Sequence, residues 1–471
     1  MKNNIVKLDT RRYEAASKTS RTQSWITPAT DANAAINNQY TIRNRARDLV
    51  RNNPWANKGL SVIVNNVVGY GIRAQWKAAN KTSTKRAQGL WKAWAESTQC
   101  DAYGLTDFYG IQQLAMRAMA ESGDCLVRLR PRLASDGLAV PFQLQLLEAD
   151  YLYDLMDGPL KNGGYVQRGI EYDVLGRRVA YLLYKAHPGA VGRFYSTLST
   201  GYSRVPAYEV IHLFRSDRPG QERGVSWFAP VMIKLRELDI YEDAFLKRQQ
   251  IANLFAGFEY SDNPDDEEDI SDTSELMSGA MYKLKHSHRV EFNNPPPAAD
   301  YGPYTMDNLR AVATGLGITF ESLTGNLSQV NFSSARMGWQ EMGRSVDSWR
   351  WQLFIPRFCE GIARWFKDFS GLAELSVDWT PPARMMVDPA REIPPIIAQV
   401  RAGLMTLPEA IRSLGYDFHA VMDEIKLSND YLDQLGLMLD SDPRKTSGQG
   451  QSQSTNTNGS VSNDTANTKN S

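Results

Sequence analysis

Few side chains in this sequence stand in the patterns that catalysis or metal binding requires. His286 and His288 lie two residues apart near acidic residues, a spacing that allows a metal site but also fits solvated histidines. Cys125 and His212 could form a thiol–imidazole pair only if the fold brings them together, and a structural cysteine in a strand is the simpler interpretation. Residues 259–275 hold nine carboxylates and no basic residue, which is typical of a solvated or partner-facing surface rather than of an acid–base pair.

Nucleotide-binding patterns are also missing from the sequence. No glycine is followed by lysine, so the Walker A phosphate loop is excluded. Gly315 and Gly317 form a G-x-G pattern, but it follows a predicted helix and not a strand, so it does not support a dinucleotide-binding fingerprint. We therefore predict no catalytic residues, no metal site and no cofactor, and we predict that the protein is not an enzyme.

Residues 323–334 form the most unusual stretch of the chain, because they carry no charge in a protein that is 23% charged. Thr, Asn, Ser and Gln side chains surround Leu327, Val330 and Phe332, and helical patterns precede and follow them. Uncharged polar side chains cannot anchor phosphate strongly and cannot supply an acid–base pair. We interpret this stretch as a surface along which another molecule slides.

The composition sets broad limits on the function. With 471 residues, of which 42% are hydrophobic, the chain can bury a sizeable core and predicts two to four domains. The formal net charge of zero gives no overall attraction to nucleic acid or to anionic membranes. The first 92 residues, however, hold 17 Lys and Arg against four Asp and Glu. This basic region is either a solvated face or arm, or an electrostatic contact with DNA, with a partner or with a neighbouring copy.

The cysteines and the hydropathy indicate synthesis in a reducing cytosol. The three cysteines are scattered along the chain and odd in number, so no disulfide framework is implied. No segment approaches the roughly 18 consecutive apolar residues of a membrane span, and the polar N-terminus lacks the apolar core of a signal peptide.

In the first half of the chain, hydrophobic periodicity predicts helices up to residue 122 and strands after it. Helices are predicted over residues 34–68, with a break at Asn53-Pro54, then around Trp91 and Trp94, and then over residues 108–122, capped by Thr106 or Asp107. After Gly123 the period changes to two. The predicted strands are residues 125–130, 142–147, 165–172, 179–184 and 210–214, with glycine-containing turns between some of them. This order of elements indicates an α+β fold with an antiparallel sheet.

The second half of the chain reads as mainly helical. Pro230 is placed to open a long helix, and a second helix is predicted over residues 307–314, so two helices flank an excursion of about fifty residues that contains the acidic run. A long aromatic helix follows from residue 334 to about 371, with an expected kink at Pro356. A strand is predicted at 377–382, and helices after residue 389, one of them capped by Thr406.

Several motifs, in their order along the chain, resemble the phage portal proteins of the lambda type. These motifs are RDLVRNNPWA at 47–56, LLEAD at 146–150, HLFRSDRPGQ at 212–221, RGVSW at 223–227, LTGNLSQVNFSS at 323–334 and GLMT at 403–406. The resemblance covers about residues 25–439. It is carried by several long motifs in a shared order, and no single motif would be sufficient.

The resemblance implies a predominantly helical α+β portal fold that assembles as a ring. The expected parts are a flexible basic arm at 1–30, an α+β wing at 31–229, stem helix 1 at 230–256, a clip at 257–304, stem helix 2 at 305–322, a tunnel loop at 323–334, the long helix and strand of the wing at 335–388, a helical crown at 389–440 and a disordered tail at 441–471.

The resemblance also implies a structural function. The expected assembly is a homo-oligomer, usually of twelve copies, at one vertex of the capsid, with a channel through which double-stranded DNA is packaged and ejected. The expected partners are terminase, the major capsid protein and head-completion or connector proteins, with no membrane contact. The protein would be assembled in the host cytoplasm and reside in the virion. The alternative is a DNA-binding adaptor or head-completion protein that uses the basic N-terminal region.

Two groups of residues follow as candidate site residues. The channel is expected to be lined by the tunnel loop, namely Asn326, Leu327, Ser328, Gln329, Val330, Asn331, Phe332 and Ser333. The clip residues expected to face terminase are Asp265, Asp266, Glu267, Glu268 and Asp269.

Overall fold

The structure is a computed structural model that divides into two compact units, Met1–Gly71 with Ala78–Leu375, and Ile72–Lys77 with Ser376–Ser471. The described residues are 29–36, 38–190, 201–253, 257–261, 288–292, 301–328, 330–383 and 388–437, together with a few single positions. The basic arm up to residue 28, apart from a few single positions, and the predicted tail at 441–471 lie outside them. With 54% helix and several sheets, the chain confirms the predicted mixed fold in which helix predominates.

The first unit begins with two helices, α1 (Gln39–Asn52) and α2 (Pro54–Val67), which confirm the predicted helical segment and its break. Asn53 has extended backbone, as expected for a residue before proline, and its side chain accepts a hydrogen bond from the Ala56 amide at 2.9 Å. Strand β1 (Arg73–Lys77) then belongs to the second unit.

Helices α3 (Lys81–Ala95) and α4 (Phe108–Ser122) confirm the next two predictions. Trp91 and Trp94 of α3 are buried and both contact the ring of Phe108. The Asp107 side chain caps α4 by accepting from the Gly110 amide at 2.8 Å.

One residue of α4 departs from the prediction. Ile111, Ala115 and Met119 are buried as expected, but Leu114 is half-exposed. The buried face is rotated toward Gln112 and Met116, which are both fully buried.

A three-stranded sheet forms the centre of the first unit, in the order β3 (Phe142–Glu148), β2 (Asp124–Pro131) and β9 (Val210–Phe214). Both pairings are antiparallel, as predicted. Because β2 is the central strand, its first four residues are buried on both faces and do not alternate.

A second sheet of five antiparallel strands runs in chain order through β4 (Gly158–Pro159), β5 (Tyr165–Gln167), β6 (Ile170–Tyr172), β7 (Arg178–Tyr184) and β8 (Tyr202–Pro206). The prediction of one strand over residues 165–172 was wrong. The chain turns at Arg168 and Gly169, which have φ of 52° and 78°, and Gly169 is the residue that allows this conformation cheaply.

Two long helices follow in the first unit. Helix α5 (Met232–Asn253) starts two residues later than predicted, and α6 (Tyr301–Leu316) extends the predicted second helix at both ends. The rings of Tyr241 and Phe245 on α5 pack against Tyr301 on α6, with centroid distances of 6.1 and 4.4 Å.

The excursion between these helices is described only in part. Strands β10 (Gly257–Ser261) and β11 (His288–Phe292) pair antiparallel, with Gly257 opposite Phe292. The five clip acids and His286 lie outside the described residues.

The chain then passes from α6 into the long aromatic helix. Helix α6 ends at Leu316, because Gly317 has a left-handed φ of 71°, and a short helix α7 (Phe320–Thr324) follows. The long helix consists of α8 (Phe332–Ser348), a π-helical segment (Trp349–Cys359) and α9 (Glu360–Ser370). The irregularity expected at Pro356 therefore takes the form of π-helical backbone around it.

The second unit pairs β1 antiparallel with β12 (Ser376–Thr380), close to the predicted strand. Three helices follow: α10 (Pro389–Arg401), α11 (Leu407–Ser413) and α12 (Phe418–Leu435). Thr406 caps α11 as predicted, since its hydroxyl accepts from the Glu409 amide at 3.3 Å. Among the described helices of the chain, none combines the length and apolar character that crossing a membrane needs.

Candidate functional site

The uncharged stretch at residues 323–334 is divided between the end of α7, an irregular loop at 325–331 and the first turn of α8. Gly325 ends α7 with a left-handed φ of 71°, and its amide donates to the Glu321 carbonyl at 2.7 Å. Thr319 caps the other end of α7 by accepting from the Ser322 amide at 3.1 Å. Glycine and threonine caps thus fix where the loop begins.

The polar side chains of the loop bond mainly to the loop itself. The Ser328 amide and hydroxyl both donate to Asn326 Oδ1, at 3.0 and 2.7 Å. Asn331 and Ser334 form a reciprocal cap at the start of α8, in which Asn331 Oδ1 accepts from the Ser334 amide at 2.8 Å and the Asn331 amide donates to Ser334 Oγ at 3.2 Å. The asparagines therefore shape the loop from both ends.

The described part of the loop presents small polar and apolar groups to solvent. Leu327 is 66% exposed, Ser328 is exposed and Val330 is half-buried. Gln329 lies outside the described residues, and so do the side chains of Phe332 and Ser333.

Charged side chains lie beside the loop and not on it. A cavity of about 490 Å³ separates the loop from α6 and α7. The Arg310 guanidinium lies 5.3 Å from the centre of the Phe320 ring and 2.9 Å from Asp307. The residues that line the cavity are Met306, Arg310, Ala313, Thr314, Ile318, Phe320, Glu321, Asn326, Ser328, Val330 and Ser334.

Away from the loop, the first unit holds a buried carboxylate, Asp124, at the start of β2. Its oxygens accept from Arg223 Nε at 2.7 Å, from Gln39 Nε2 at 2.8 Å and from the Gly224 amide. Burial alone would raise the pKa of Asp124, but Arg223, His212 and the Gly224 amide hold it well below its usual value. The 223–227 motif thus supplies the counter-charge of a core carboxylate.

His212 packs against the same carboxylate. Its Nε2 lies 3.3 Å from Asp124 Oδ1, and Arg178 Nη1 lies 3.3 Å from its Nδ1. Burial lowers the pKa of His212 to about 4, so the imidazole is neutral at neutral pH. A neutral ring whose Nδ1 accepts from Arg178 carries its proton on Nε2, the nitrogen that faces Asp124.

The thiol–imidazole pair considered for Cys125 does not form. Cys125 is opposite Leu213 and Leu126 is opposite His212 in the β2–β9 register, so thiol and imidazole lie on opposite faces of the sheet. Cys125 is fully buried, and burial raises the pKa of its thiol. Cys125 is therefore a structural cysteine in a strand, which was the simpler interpretation of the sequence.

A second buried carboxylate, Asp150, joins two of the sequence motifs. Arg47 donates to Asp150 at 2.7 Å and to Glu148 at 3.0 Å, and Arg43 lies 3.3 Å from Asp150. Burial opposes ionisation, but the hydrogen bond from Arg47 and the charge of Arg43 lower the pKa of Asp150. Two arginines of the basic N-terminal region are therefore committed to internal ion pairs.

Glu148, Asp150 and His187 bring potential metal ligands within 4.8 Å of one another, a grouping that sequence reasoning missed. Arg47 already bonds to both carboxylates. The Gly189 amide donates to His187 Nδ1 at 3.0 Å, which leaves the proton on Nε2, 3.1 Å from Glu148. These contacts fit an ion-pair network better than a metal site.

Comparison with known proteins gives consistent matches. The family model described as "Phage portal protein, lambda family" matches residues 18–350. A "Probable portal protein" of Halomonas phage phiHAP-1 is 29% identical over 350 residues, covering 70% of this chain and 67% of the relative. "Portal protein B" of Escherichia phage lambda is 22% identical over 459 residues, covering 85% of each chain.

The fold is also found in a solved assembly. A chain from the "Virion of native gene transfer agent (GTA) particle" superposes with a TM-score of 0.50 and 12% identity, over 80% of this chain and 93% of that one. Portal proteins are structural and not enzymes, which confirms the prediction made from the missing catalytic patterns. The family match over most of the chain confirms the resemblance drawn from the motifs: the chain belongs to the lambda family of phage portal proteins.

Proposed function

We propose that this portal protein forms a homo-oligomeric ring, of about twelve copies, at one vertex of the capsid. Double-stranded DNA is packaged and ejected through the ring's channel, and terminase docks on it during packaging. The observation that carries the proposal is the family match over residues 18–350, a span that includes α5, α6, the loop at 325–331 and all of α8.

The expected parts can be assigned to the elements. Residues 31–229 and 335–388 are proposed as the wing, with the Asp124 and Asp150 networks in its core. Stem helices 1 and 2, at 230–256 and 305–322, correspond to α5 and to α6 with α7. The clip at 257–304 contains the antiparallel strand pair β10–β11, and the crown at 389–440 contains α10, α11 and α12.

The loop at 323–334 is proposed as the tunnel loop that DNA passes. Each Lys or Arg contact to phosphate releases counterions and adds affinity that must be broken whenever the DNA advances. Ser328 and Leu327 are exposed and uncharged, and Asn326 bonds to Ser328, so the loop offers DNA at most weak hydrogen bonds and van der Waals contact. Low friction is the expected result.

The further partners are proposed from the family. The five acids of residues 265–269 are proposed to meet a basic surface of terminase, because electrostatic complementarity steers association and sets orientation. The major capsid protein and head-completion or connector proteins contact the ring in the assembled virion. Assembly takes place in the host cytoplasm.

The alternative of a DNA-binding adaptor is less well supported. Such an adaptor would bind DNA through the basic N-terminal region. Two arginines of that region, Arg43 and Arg47, instead pair with Asp150 in the core. Lys77 lies 2.6 Å from Asp378. These ion pairs reduce the positive charge available to phosphate.

Electron microscopy of purified full-length protein, with native mass spectrometry, tests the ring. We expect closed rings with an axial hole and a mass near twelve copies across a concentration series. Persistent monomers at every concentration would contradict the proposal. A salt-sensitive DNA affinity that disappears on removing residues 1–30 would favour the adaptor instead.

A further inference from the structure

Two of the three helices of the second unit, α10 and α12, carry apolar stripes that the described residues leave exposed. Both α10 and α12 lie wholly within the described residues, and no residue of either helix is buried. On α10, Ile393, Ile396, Ile397 and Val400 follow helical spacing and form one stripe, in which Ile393 and Ile397 are 43% and 49% exposed.

Helix α12 carries a separate apolar stripe. Leu427, Tyr431 and Leu435 are spaced four residues apart and therefore lie along one side of the helix. Their exposed fractions are 70%, 61% and 52%. The less exposed Val421, Met422 and Leu432 lie on a different side of the same helix.

Neither helix is expected to be stable by itself. Helix α10 has 13 residues, a length at which isolated helices are marginal in water. Helix α12 has 18, but most helical stability in proteins comes from packing of an apolar face. Helix α10 is weakened further by Pro394 and Pro395, which lie inside it and have no amide hydrogen to donate. A partner that covers the two stripes would supply the missing packing.

Helices α10 and α12 carry net charges of opposite sign. Helix α12 holds four acids, Asp423, Glu424, Asp430 and Asp433, against Lys426. Helix α10 holds Arg391 and Arg401 against Glu392. Two different apolar faces with opposite net charge on one chain suit a head-to-tail contact between identical copies, and such a contact can close into a ring.

We propose that the Leu427–Tyr431–Leu435 stripe of α12 in one copy packs on the Ile393–Ile397 stripe of α10 in the next copy. This inference rests on the proposed ring and adds which surfaces meet in the crown. It also makes the order of the crown helices depend on assembly, because the described residues of one chain leave both stripes exposed.

Cysteine cross-linking in full-length rings tests which surfaces meet. The double variant Ile397→Cys/Leu427→Cys should give a ladder of covalent dimers, trimers and larger species on non-reducing gels under mild oxidation. The native Cys100, Cys125 and Cys359 are buried and should remain unreactive. The matched control is Gln399→Cys/Leu427→Cys, because Gln399 is exposed on the side of α10 away from the stripe, and it should give little ladder.

The outcomes separate this inference from the ring itself. Rings that form without a ladder, or with cross-linked monomer only, overturn the α10–α12 contact and leave the ring proposal standing. Failure of the wild-type chain to form rings under any condition overturns the proposed function instead.

A charge exchange gives an independent test of the same contact. Glu424→Arg and Arg401→Glu should each raise the concentration at which half the chains are in rings, by a few-fold, and their combination should restore the wild-type value. Additive effects in the double variant would contradict the pairing. Hydrogen exchange should also show α12 amides protected in rings and unprotected in monomers, whereas equal protection in both would overturn the dependence on assembly.

Discussion

Two buried carboxylates explain much of the sequence signature of this chain. Asp124 draws together Gln39, Arg223 and the Gly224 amide, and Asp150 draws together Arg43 and Arg47. The motifs at 47–56, 146–150, 212–221 and 223–227 therefore meet in pairs inside the first unit. Arg47, Asp150 and Arg223, the charged residues at these meeting points, hold the fold together.

Removal of Arg223 should be strongly destabilising. Arg223→Met leaves the buried Asp124 carboxylate without its main counter-charge, and breaking a buried pair in this way costs about 3–5 kcal/mol. Denaturant unfolding of the full chain measures the change in the free energy of unfolding. Arg344→Met is the matched control, because Arg344 forms an exposed pair with Glu341 and its loss should change little. Equal effects of the two variants would contradict the role assigned to Asp124.

His212 should make the fold sensitive to mild acid. Its folded pKa of about 4 lies below the ordinary value of 6.5, so between these values the unfolded chain binds a proton that the folded chain does not. The free energy of unfolding should therefore fall as the pH drops from 6.5 to 4, by roughly 3 kcal/mol from this group. Asp124, whose pKa is lowered, loses its contribution only below 3.8.

The variant His212→Gln checks this pH dependence by denaturant unfolding at several pH values. We expect the decrease between pH 6.5 and 4 to shrink in this variant. The exposed His419→Gln serves as the control and should keep the wild-type slope. An unchanged slope in His212→Gln would show that other groups cause the acid sensitivity.

Local signals were sufficient to predict single residues with local roles. Asp107 and Thr406 were expected to cap helices and do so, because a cap bonds only to the next turn. Asp124 was not singled out, because its partners lie 85 to 100 positions away in the chain. The sequence signalled these long-range contacts of Asp124 only through the shared order of the motifs along the chain.

Helix existence was easier to predict than helix ends. The break at Asn53-Pro54 and the long helix from α8 to α9 follow from proline chemistry and from aromatic periodicity. The start of α6 was predicted six residues too late, at 307 instead of Tyr301. The turn at Arg168-Gly169 was missed, because it depends on a glycine adopting a left-handed φ. A glycine signals that such a φ is possible, not that it is used.

A positive charge on the loop should impede packaging. Ser328 is exposed, so Ser328→Arg would place one guanidinium per copy at the same level of the proposed channel, where phosphate contacts add affinity that must be broken at each step. We expect on the order of tenfold fewer packaged genomes in a complementation assay, with normal rings by electron microscopy. Ser328→Asn, which adds bulk without charge, is the control. Normal packaging by Ser328→Arg would refute the low-friction account.

The two units differ in how many of their apolar residues a single chain buries. The first unit has a dense aromatic core in which Trp94, Phe108 and Phe358 are fully buried. The second unit has a paired strand, but α10 and α12 bury no residue of their own. Composition predicted that the chain could bury a core. It could not predict which helices would leave their apolar faces to be covered by a neighbouring copy.

The acidic clip should matter for terminase and not for the ring. Replacing Asp265, Asp266 and Asp269 by Asn, and Glu267 and Glu268 by Gln, removes five negative charges per copy while keeping side-chain size. Pull-down and surface-binding measurements should show weaker association with terminase, mainly through a slower association rate at low salt. Replacing the exposed Glu96, Asp154 and Asp368, which lie outside the clip and outside α12, by Gln or Asn is the control. Unchanged binding by the clip variant would contradict the proposal that the clip acids attract terminase electrostatically.

The loop at 325–331 holds its own shape, and this has a consequence for how portals can diversify. The side-chain hydrogen bonds of Asn326, Ser328, Asn331 and Ser334 run within residues 324–334. We therefore expect the segment to be exchangeable between the two helix ends. Loops of other composition could be grafted between Gly325 and Asn331. They would change the width of the proposed channel and its affinity for DNA, while the flanking helices keep the same positions.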